Sequence, residues 1–361
     1  MKAKLSSIGR NEEEFMAAGS GFGNLFRVNT WGESHGKGIG VVVDGCPAGL
    51  PLCEEDIQIY LNRRKPGTSR FTTPRKEDDC VEILSGVFEG KTTGTPISMV
   101  VYNKTQRSQD YSEIANYYRP GHADYTYDCK YGFRDYTGGG RSSGRETIGR
   151  VAAGAIAAKL LKEMGITVEA YTKSIGSANT PEDIEYYLEQ CLKENNSAGG
   201  VIECSIKGVP AGLGEPCFEK LSANLGKAIL SIGAVKGFEI GDGFAVANAT
   251  GLSNNDAFFY NSEGKIEKKS NHAGGITGGI SDGSEIIFRA AIKPTPSIYA
   301  EQETVNKDGN NISVNIKGRH DPVIVPRAVV VVECMAAIVV LDALLVNMSA
   351  RLDKIKDFYE K

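Results

Sequence analysis

Glycine is the feature that most restricts how this chain can fold. The sequence contains 43 glycines among 361 residues, well above the usual share of about 7%. They cluster at 132–154, 208–214, 233–243 and 274–283 and show no collagen-like period. Glycine permits tight turns and lets the backbone approach a ligand closely. The pattern therefore predicts short elements separated by turns, some of which are candidate ligand-binding loops.

Strand-like and helix-like runs alternate between these clusters. A hydrophobic content of 41% is sufficient for a packed core, and the length fits one large domain or two smaller ones. Residues 1–20 are expected to be a flexible N-terminal extension, and residues 21–361 a single domain. The pattern predicts helices at 54–64, 147–164, 181–193, 219–229 and 328–348, and strands at 38–43, 81–87, 96–102, 167–173, 201–207, 234–240, 285–292 and 312–316.

One six-residue motif occurs twice. Gly45–Leu50 (GCPAGL) and Gly208–Leu213 (GVPAGL) differ at a single position. Both copies follow a strand-like run and precede a helix-like run. A chance match in a glycine-rich chain is one explanation, but the shared context favours a duplicated β-α unit. The corresponding halves are roughly 21–165 and 166–361.

The charge balance argues against nucleic acid as a partner, because the net charge is −4. Arginine is nevertheless concentrated in glycine-rich loops. For any single arginine, solvated surface charge is the favoured interpretation. Arginines that share loops with histidine and serine instead predict a small, multiply charged anionic ligand.

Cysteine usage and hydropathy predict a cytoplasmic protein. The eight cysteines show no C-x-x-C spacing and no histidine at zinc-site spacing. Reduced thiols and no metal site are expected, although the even count leaves disulfides open. The N-terminal residues lack the apolar core of a secretory signal. The most apolar run, 328–346, contains Glu333 and Asp342, which predicts a buried helix and no membrane partner.

All four histidines lie in runs rich in glycine and charge, whereas a packing histidine is expected in an apolar periodic segment. These runs are TWGESHG with His35, RPGHAD with His122, NHAGG with His272 and GRHDP with His320. Histidine moves protons near neutral pH. The runs together predict a catalytic site assembled from loops that are distant in sequence.

Two of the histidines are candidates for proton transfer. His35, with Ser34 beside it, is a candidate general acid, and a hydrated turn is the alternative. His122 follows a Pro-Gly pair, which presents it on a turn; a turn held by Asp124 is the alternative. Asp321 beside His320 is suited to tuning proton transfer, but a surface ion pair would have the same sequence.

The segment 138–147 (GGGRSSGRET) leads directly into the predicted helix at 147–164. Free backbone N–H groups at a helix start bind phosphate, and two serines and two arginines add further donors. Capping is an alternative that is compatible with this role, because Ser143 and Glu146 have capping-box spacing. The segment lacks the Gly-Lys-Ser/Thr of a Walker loop and the preceding buried strand of a dinucleotide site.

Two rival functions stay open from the residues alone. One is a phosphate-binding transferase that uses segment 138–147 without a flavin. The other is an RNA-binding module that uses Arg141, Arg145 and Arg150. The net charge and the lack of interleaved aromatic residues oppose RNA binding.

In this order, the motifs resemble those of the chorismate synthase family. The similarity begins near Gly21 and continues through GESHG, RPGHAD, GGGRSS and GRHDP to about Leu345. The resemblance implies an α+β fold, a β-α-β sandwich built from two similar β/α halves, usually in a homotetramer. It also implies a lyase that uses reduced FMN and converts 5-enolpyruvylshikimate 3-phosphate to chorismate and phosphate by 1,4-elimination.

The resemblance further implies roles for individual residues. His35 would assist the leaving phosphate as a general acid, and His122 would stabilise the protonation state of the reduced flavin. Asp321, with Ser34, would help to relay the C6 proton of the substrate through flavin N5. The substrate's anionic groups would be held by Arg64, Arg70 and Arg145. The flavin would be lined by Arg141, Ser142, Ser143, Gly233, Ala234, Gly278, Lys293, Pro294, Thr295, Pro296, Ser297 and Arg319.

The sequence departs from the family pattern at three places. Trp31 stands where a smaller aromatic or aliphatic residue is usual, Gly144 replaces an alanine, and Gly233 replaces a frequent asparagine. Gly233 thereby lacks a side-chain contact to the flavin. No added domain that could reduce flavin with NADPH is evident, so an external source of reduced flavin is expected.

Overall fold

The fold is a mixture of helices and antiparallel strands. A computed structural model describes residues 19–67, 78–104, 113–316 and 321–360. Helices α1 to α8 are Glu54–Arg64, Asp124–Tyr131, Thr147–Glu163, Pro181–Lys193, Leu221–Leu230, Gly251–Asn254, Val325–Asn347 and Leu352–Tyr359. Strands β1 to β17 are Gly21–Phe22, Arg27–Gly32, Gly38–Asp44, Val81–Ile83, Val87–Phe88, Lys91–Thr92, Ile97–Tyr102, Thr167–Ile175, Gly200–Lys207, Val235–Ile240, Phe258–Tyr260, Ile266–Lys268, Ile276–Thr277, Ile280–Ser281, Ile286–Ile292, Gln302–Val305 and Asn311–Val314.

Two antiparallel sheets enclose a layer of helices. One sheet has the order β1-β2-β3-β7-β4 and the other β10-β15-β9-β8. Helix α3 packs on β3, α1 and α7, whereas α7 packs on β8, β9 and α5. The first sheet therefore covers α3 and the second covers α7. The contact between α3 and α7 joins the two halves of the helical layer. This arrangement confirms the predicted α+β class and the β-α-β sandwich.

The repeated six-residue motif has the same hydrogen bonds in both copies. In each copy, a hydroxyl side chain from a later strand donates to the proline carbonyl and accepts from the leucine amide. Thr92 makes these bonds to Gly45–Leu50 at 2.7 and 3.0 Å. Ser281 makes them to Gly208–Leu213 at 2.6 and 2.9 Å. The division into two halves stays a prediction, which these matching contacts support.

Helix α7 is the apolar centre of the molecule. It is long and apolar enough to cross a membrane, with a mean hydropathy of 2.7, yet 72% of that stretch is buried within the protein. Its two acidic side chains are both engaged. Glu333 forms a bidentate pair with Arg63 at 2.7 and 2.8 Å. Asp342 accepts from the backbone amides of residues 24–26 at 2.7 to 3.1 Å. The structure thus places this segment in the core, as predicted.

The two central helices meet at a glycine. A Cβ atom on Gly154 of α3 would lie 2.2 Å from Cβ and 2.6 Å from Cα of Cys334 in α7. Such distances are far inside van der Waals contact, so only glycine allows this separation of the helix axes. The residue type at position 154 therefore sets the spacing of the layer.

Several predicted boundaries were wrong for local reasons. The strand predicted at 81–87 is two strands, because Gly86 turns the chain in the left-handed region (φ +81°). Helix α7 begins at Val325, three residues early, because Pro326 is compatible with a first helical turn. Helices α2, α6 and α8 and strands β1, β2, β6, β11 to β14 and β16 were not predicted.

We expect Gly154→Ala to lower the free energy of unfolding by about 1–3 kcal/mol, because the added methyl group overpacks the contact between α3 and α7. Urea unfolding followed by circular dichroism measures this change. Gly226→Ala in α5 is the matched control, since its new Cβ would lie 3.5 Å from Phe238, an ordinary contact. Removing a helical glycine there is expected to stabilise the protein by up to about 1 kcal/mol. Equal stability of Gly154→Ala and wild type would contradict the packing argument.

Candidate active site

A large cationic cleft opens where the first turns of α3 and α7 meet the ends of β10 and β15. Its volume is about 1190 Å³, and Met335 and Ile338 of α7 contribute apolar lining. Nine arginine and lysine side chains line it, against two acidic ones, Glu146 and Asp321, among the described residues. This local excess of positive charge contrasts with the net charge of −4. The cleft is therefore suited to a polyanion.

Ser34 and His35 lie together on one wall of the cleft, on the turn between β2 and β3. Ser34 is buried, its Oγ lies 3.0 Å from Nδ1 of His35, and it donates to the Gly138 carbonyl at 3.2 Å. A Cβ on Gly138 would lie 2.1 Å from the His35 ring. Because Gly138 has φ +67°, glycine is favoured there both by conformation and by space. The glycine-rich segment thus seats the imidazole.

His122 faces the same cleft and is oriented by a buried carboxylate. Its Nδ1 lies 2.9 Å from Oδ1 of Asp124, whose side chain is only 2% exposed. Arg119 binds the same carboxylate through Nε and NH2, both at 2.8 Å. The other edge of the ring lies against Gly139, where an added Cβ would be 3.3 Å from Nε2. The two sequence interpretations of His122 are therefore compatible: Asp124 holds the turn, and the imidazole of His122 lines the cleft.

The ionisation of Asp124 fixes the tautomer of this histidine. Burial alone would raise the pKa of the Asp124 carboxyl, but hydrogen bonds from Arg119 and His122 hold that pKa far below its usual range. An ionised carboxylate can only accept, so Nδ1 of His122 donates to it. The Nε2 atom then carries the proton-transfer capacity of the ring. This is the pattern of a carboxylate that orients a catalytic imidazole.

Segment 138–147 forms two short 3-10 turns before α3. Arg141 donates to Thr30 Oγ1 at 2.8 Å and to the Gly32 carbonyl at 3.3 Å, and Ser142 Oγ donates to Gly139 O at 2.7 Å. Capping by Ser143, the alternative interpretation of this segment, is confirmed, but the residues do not form a capping box. Ser143 accepts from the amide of Arg145 at 3.4 Å, and the carboxylate of Glu146 binds Arg150 at 2.8 Å instead. Arg141, Ser142, Ser143 and Arg145 all line the cleft.

The predicted substrate arginines occupy different depths. Arg145 lines the cleft, and its NH2 lies 3.2 Å from Oδ1 of the buried Asp79. Arg64 binds the other oxygen of Asp79 at 2.6 Å and donates to the Gly144 carbonyl at 3.3 Å, with its side chain only 2% exposed. Asp79 thus links the two guanidinium groups, and Arg64 supports the cleft from behind without lining it. Arg70 lies outside the described residues.

Residues predicted to contact a flavin lie on the opposite wall. Gly233, Ala234, Lys293, Thr295, Pro296 and Ser297 line the cleft, and Pro294 connects two of them. Ala234 adopts φ +72°, a strained conformation for an alanine that is typical of functional sites. Lys293 donates to the Gly121 carbonyl, next to His122. Partial burial, with the like charge of Lys236, lowers the pKa of Lys293 below its ordinary value.

Two other predicted residues need separate mention. Asp321 lines the cleft and forms an ion pair with Arg327. Gly278 does not line this cleft in the described chain; it lies at an exposed turn between β13 and β14, where the adjacent Gly279 contacts Lys220 and Glu215. Arg319 lies outside the described residues, as does His320. His272 pairs with Asp242 at 2.7 Å, away from the cleft lining.

The cleft also contains cations that the sequence did not single out. Lys130, Lys227, Lys236 and Arg327 line it. Lys236 lies in the glycine-rich stretch 233–243, whereas the other three belong to no glycine-rich or histidine-containing run and reach the cleft through tertiary packing. The sequence indicated these residues only indirectly. The basic ligand-binding loops predict an anionic ligand, and further basic residues are expected around such a ligand.

The fold and the cleft are those expected of an enzyme for a small polyanion, because imidazole and guanidinium groups line one cationic cleft. Residues 26–345 match the family model described as chorismate synthase. Chorismate synthases of Agathobacter rectalis and Lachnoclostridium phytofermentans are 67% and 66% identical, each over 95% of this chain and 100% of the relative. A crystal structure of chorismate synthase superposes with a TM-score of 0.72 and 31% identity, covering 94% of this chain and 97% of the other.

The chain therefore belongs to the chorismate synthase family. Its activity is that of a lyase of the shikimate pathway, which converts 5-enolpyruvylshikimate 3-phosphate to chorismate. The family in general uses reduced FMN. The predicted family and reaction are confirmed, whereas the roles of individual residues stay predictions.

We expect Gly138→Ala to reduce kcat by at least about a hundredfold, because the new methyl group displaces the imidazole of His35, and a lost general acid or base costs about 10²–10⁴-fold. Gly132→Ala is the matched control. Gly132 also has positive φ (+80°), but an added Cβ would meet nothing within 4 Å. Both variants bear a conformational cost of about 1–2 kcal/mol. Steady-state kinetics distinguishes them: equal activities would show that the contact with His35 is unimportant.

Proposed function

We propose that this chain binds reduced FMN and 5-enolpyruvylshikimate 3-phosphate together in the cationic cleft and eliminates phosphate with the aid of His35 and His122. The observation that carries the proposal is the convergence of both imidazoles, Arg145 and the 293–297 loop on one cleft. The substrate carries a phosphate and two carboxylates, which match the excess of positive charge.

The cleft has properties that fit a flavin beside the substrate. Pockets for one small ligand typically measure about 300–1,000 Å³, and the cleft, at about 1190 Å³, is larger than that range. The hydroxyl Oγ1 of Thr295 is buried and has no hydrogen-bond partner among the described residues, although such groups are normally satisfied. A ligand with polar edges would supply that partner. Ala234, Lys293 and Ser297 would hold the group on the same wall.

His35 is the proposed general acid for the departing phosphate. When bound, the reduced flavin supplies electron density to the substrate as the allylic C–O bond breaks. The phosphate leaves with the electron pair of that bond, and a proton from His35 neutralises part of its charge. Ser34 and Gly138 hold the ring of His35 toward the cleft.

His122 and Asp321 complete the proposed proton transfers. His122 would face the reduced cofactor through Nε2 and help to set its protonation state, because Asp124 occupies Nδ1. Asp321, which is held by Arg327, would act with Ser34 to relay the proton that leaves C6 of the substrate. Arg145, supported by Asp79 and Arg64, binds an anionic group of the substrate. Arg141, Ser142 and Ser143 present donors at the glycine-rich wall.

An oligomer, proposed to be a homotetramer, accounts for an exposed apolar arm. Segment 243–268 carries side chains that are largely solvent-exposed in the single chain: Phe244, Leu252, Phe258, Tyr260 and Ile266. Contiguous exposed apolar surface of this kind marks interaction sites. Lys268 anchors the arm through buried ion pairs with Asp256 at 3.1 Å and Asp282 at 2.8 Å.

The proposal also includes a cytoplasmic location and an external supply of reduced flavin. All eight cysteines are free thiols, which fits a reducing compartment.

The proposed function is tested by anaerobic turnover. Adding reduced FMN and 5-enolpyruvylshikimate 3-phosphate is expected to yield chorismate and free phosphate in equal amounts, measured by absorbance and phosphate assay. Omitting the flavin, or supplying it oxidised without a reductant, is expected to abolish turnover. Phosphate release at full rate without flavin would contradict the proposed role of the flavin.

We expect His35→Ala and His122→Ala each to lower kcat by roughly two or more orders of magnitude, while flavin binding measured by fluorescence quenching persists in His35→Ala. Asp124→Asn is expected to lower kcat by about 10–100-fold, because it weakens the orientation of the ring. Adding Asp124→Asn to His122→Ala should cause little further loss. Near-wild-type turnover of His122→Ala would remove that residue from the mechanism.

A further inference from the structure

One side chain connects the His35 turn to Arg145. Asn103 follows β7, and its backbone N–H donates to the Lys37 carbonyl at 3.0 Å, extending the ladder between β7 and β3. Its side-chain Nδ2 donates to the carbonyls of Glu33 at 3.0 Å and Gly36 at 2.9 Å. These carbonyls flank Ser34 and His35. One residue therefore fixes both ends of the turn that presents the imidazole.

The other end of the same amide faces the substrate arginine. Oδ1 of Asn103 accepts from Nε of Arg145 at 3.1 Å. The orientation of the amide is unambiguous, because Nδ2 faces two acceptors and a guanidinium can only donate. The position requires two donors and one acceptor at once. Aspartate keeps the acceptor and loses both donors, and leucine of similar size loses all three.

We propose that Asn103 is a positioning residue that couples the geometry of His35 to that of Arg145. This inference rests on the roles proposed above for those two residues. The turn is short, closed by a hydrogen bond from Gly36 N to Glu33 O at 3.2 Å, so displacement of either carbonyl moves the imidazole. Arg145 is fixed at Nε by Asn103 and at NH2 by Asp79. The side-chain amide of Asn103 thereby sets the distance between His35, the proposed general acid, and Arg145, the proposed anion-binding group.

The test uses two substitutions with different chemistry. Asn103→Leu and Asn103→Asp are both expected to lower kcat by about 10–100-fold, the usual effect of removing a partner that orients an active-site group. Asn103→Leu is also expected to raise KM for the substrate severalfold, through Arg145. Wild-type kcat in Asn103→Asp would overturn the inference, because that variant lacks both bonds to the His35 turn.

A matched control separates positioning from stability. Asn271 is a similar bridging amide away from the cleft lining: it donates to Glu285 O at 2.8 Å and accepts from Gly275 N at 2.8 Å. Asn271→Leu is expected to lose thermal stability comparably and to retain kcat. If Asn103→Leu loses kcat only to the extent that its folded fraction falls, the inference is overturned.

Double-mutant cycles distinguish this inference from the proposed function. In a His35→Ala background, Asn103→Leu is expected to lower kcat by less than about twofold, since coupled residues are non-additive. In Arg145→Ala, its effect on KM should disappear. If His35→Ala lowers kcat but the two losses multiply, Asn103 does not position His35 and the inference alone fails. If His35→Ala leaves kcat unchanged, the general-acid role fails and the inference falls with it.

Discussion

The contact between α3 and α7 is the constraint on which the rest of the structure depends. Gly154 lets the two helices approach so closely that Cys334 fills the space of a side chain. The segments that precede these helices, 138–147 and 321–324, consequently border the same cleft. The sheets then add His35 from one side and the 293–297 loop from the other. The site is therefore a product of core packing and cannot be assigned to any single motif.

Buried carboxylates organise the positive charge around this cleft. Asp79 joins Arg64 to Arg145, Asp124 joins Arg119 to His122, and Asp321 pairs with Arg327. A buried ion pair gives little net stability, because desolvation offsets the attraction. Its value here is geometric, since a planar guanidinium held on one edge presents its remaining surface in a fixed direction. The carboxylates thereby fix the positions of the neighbouring cationic side chains, although these cations repel one another.

Local sequence predicted the elements whose structure depends on local interactions. Helices 54–64 and 181–193 have the predicted bounds, because acidic residues in their first turns and basic residues in their last turns define both ends. Helix α2 was not predicted, because it is short and its N-cap residue, Ala123, supplies no side-chain hydrogen bond that would mark its start. The capping box between Ser143 and Glu146 does not form, because Arg150 and Thr30 attract the carboxylate of Glu146.

The site was predictable to the extent that its groups lie in glycine-rich runs. His35, His122 and the 138–147 segment carry that signal, and the structure places all three at one cleft. Lys227 and Arg327 carry no such signal. Arg327 donates to the backbone carbonyl of Arg64 at 2.9 Å, a contact across most of the chain that no spacing rule reveals. Asn103 is also invisible in sequence, because its three bonds exist only after β3 and β7 have paired.

The central claim is that both imidazoles and Arg145 act on one substrate beside one flavin. The most direct measurement is a crystal structure of the chain with FMN and 5-enolpyruvylshikimate 3-phosphate. The account predicts both ligands in the cleft, with His35 within about 2.6–3.2 Å of the phosphate and His122 facing the flavin ring. Ligands bound elsewhere, or a phosphate remote from His35, would contradict it.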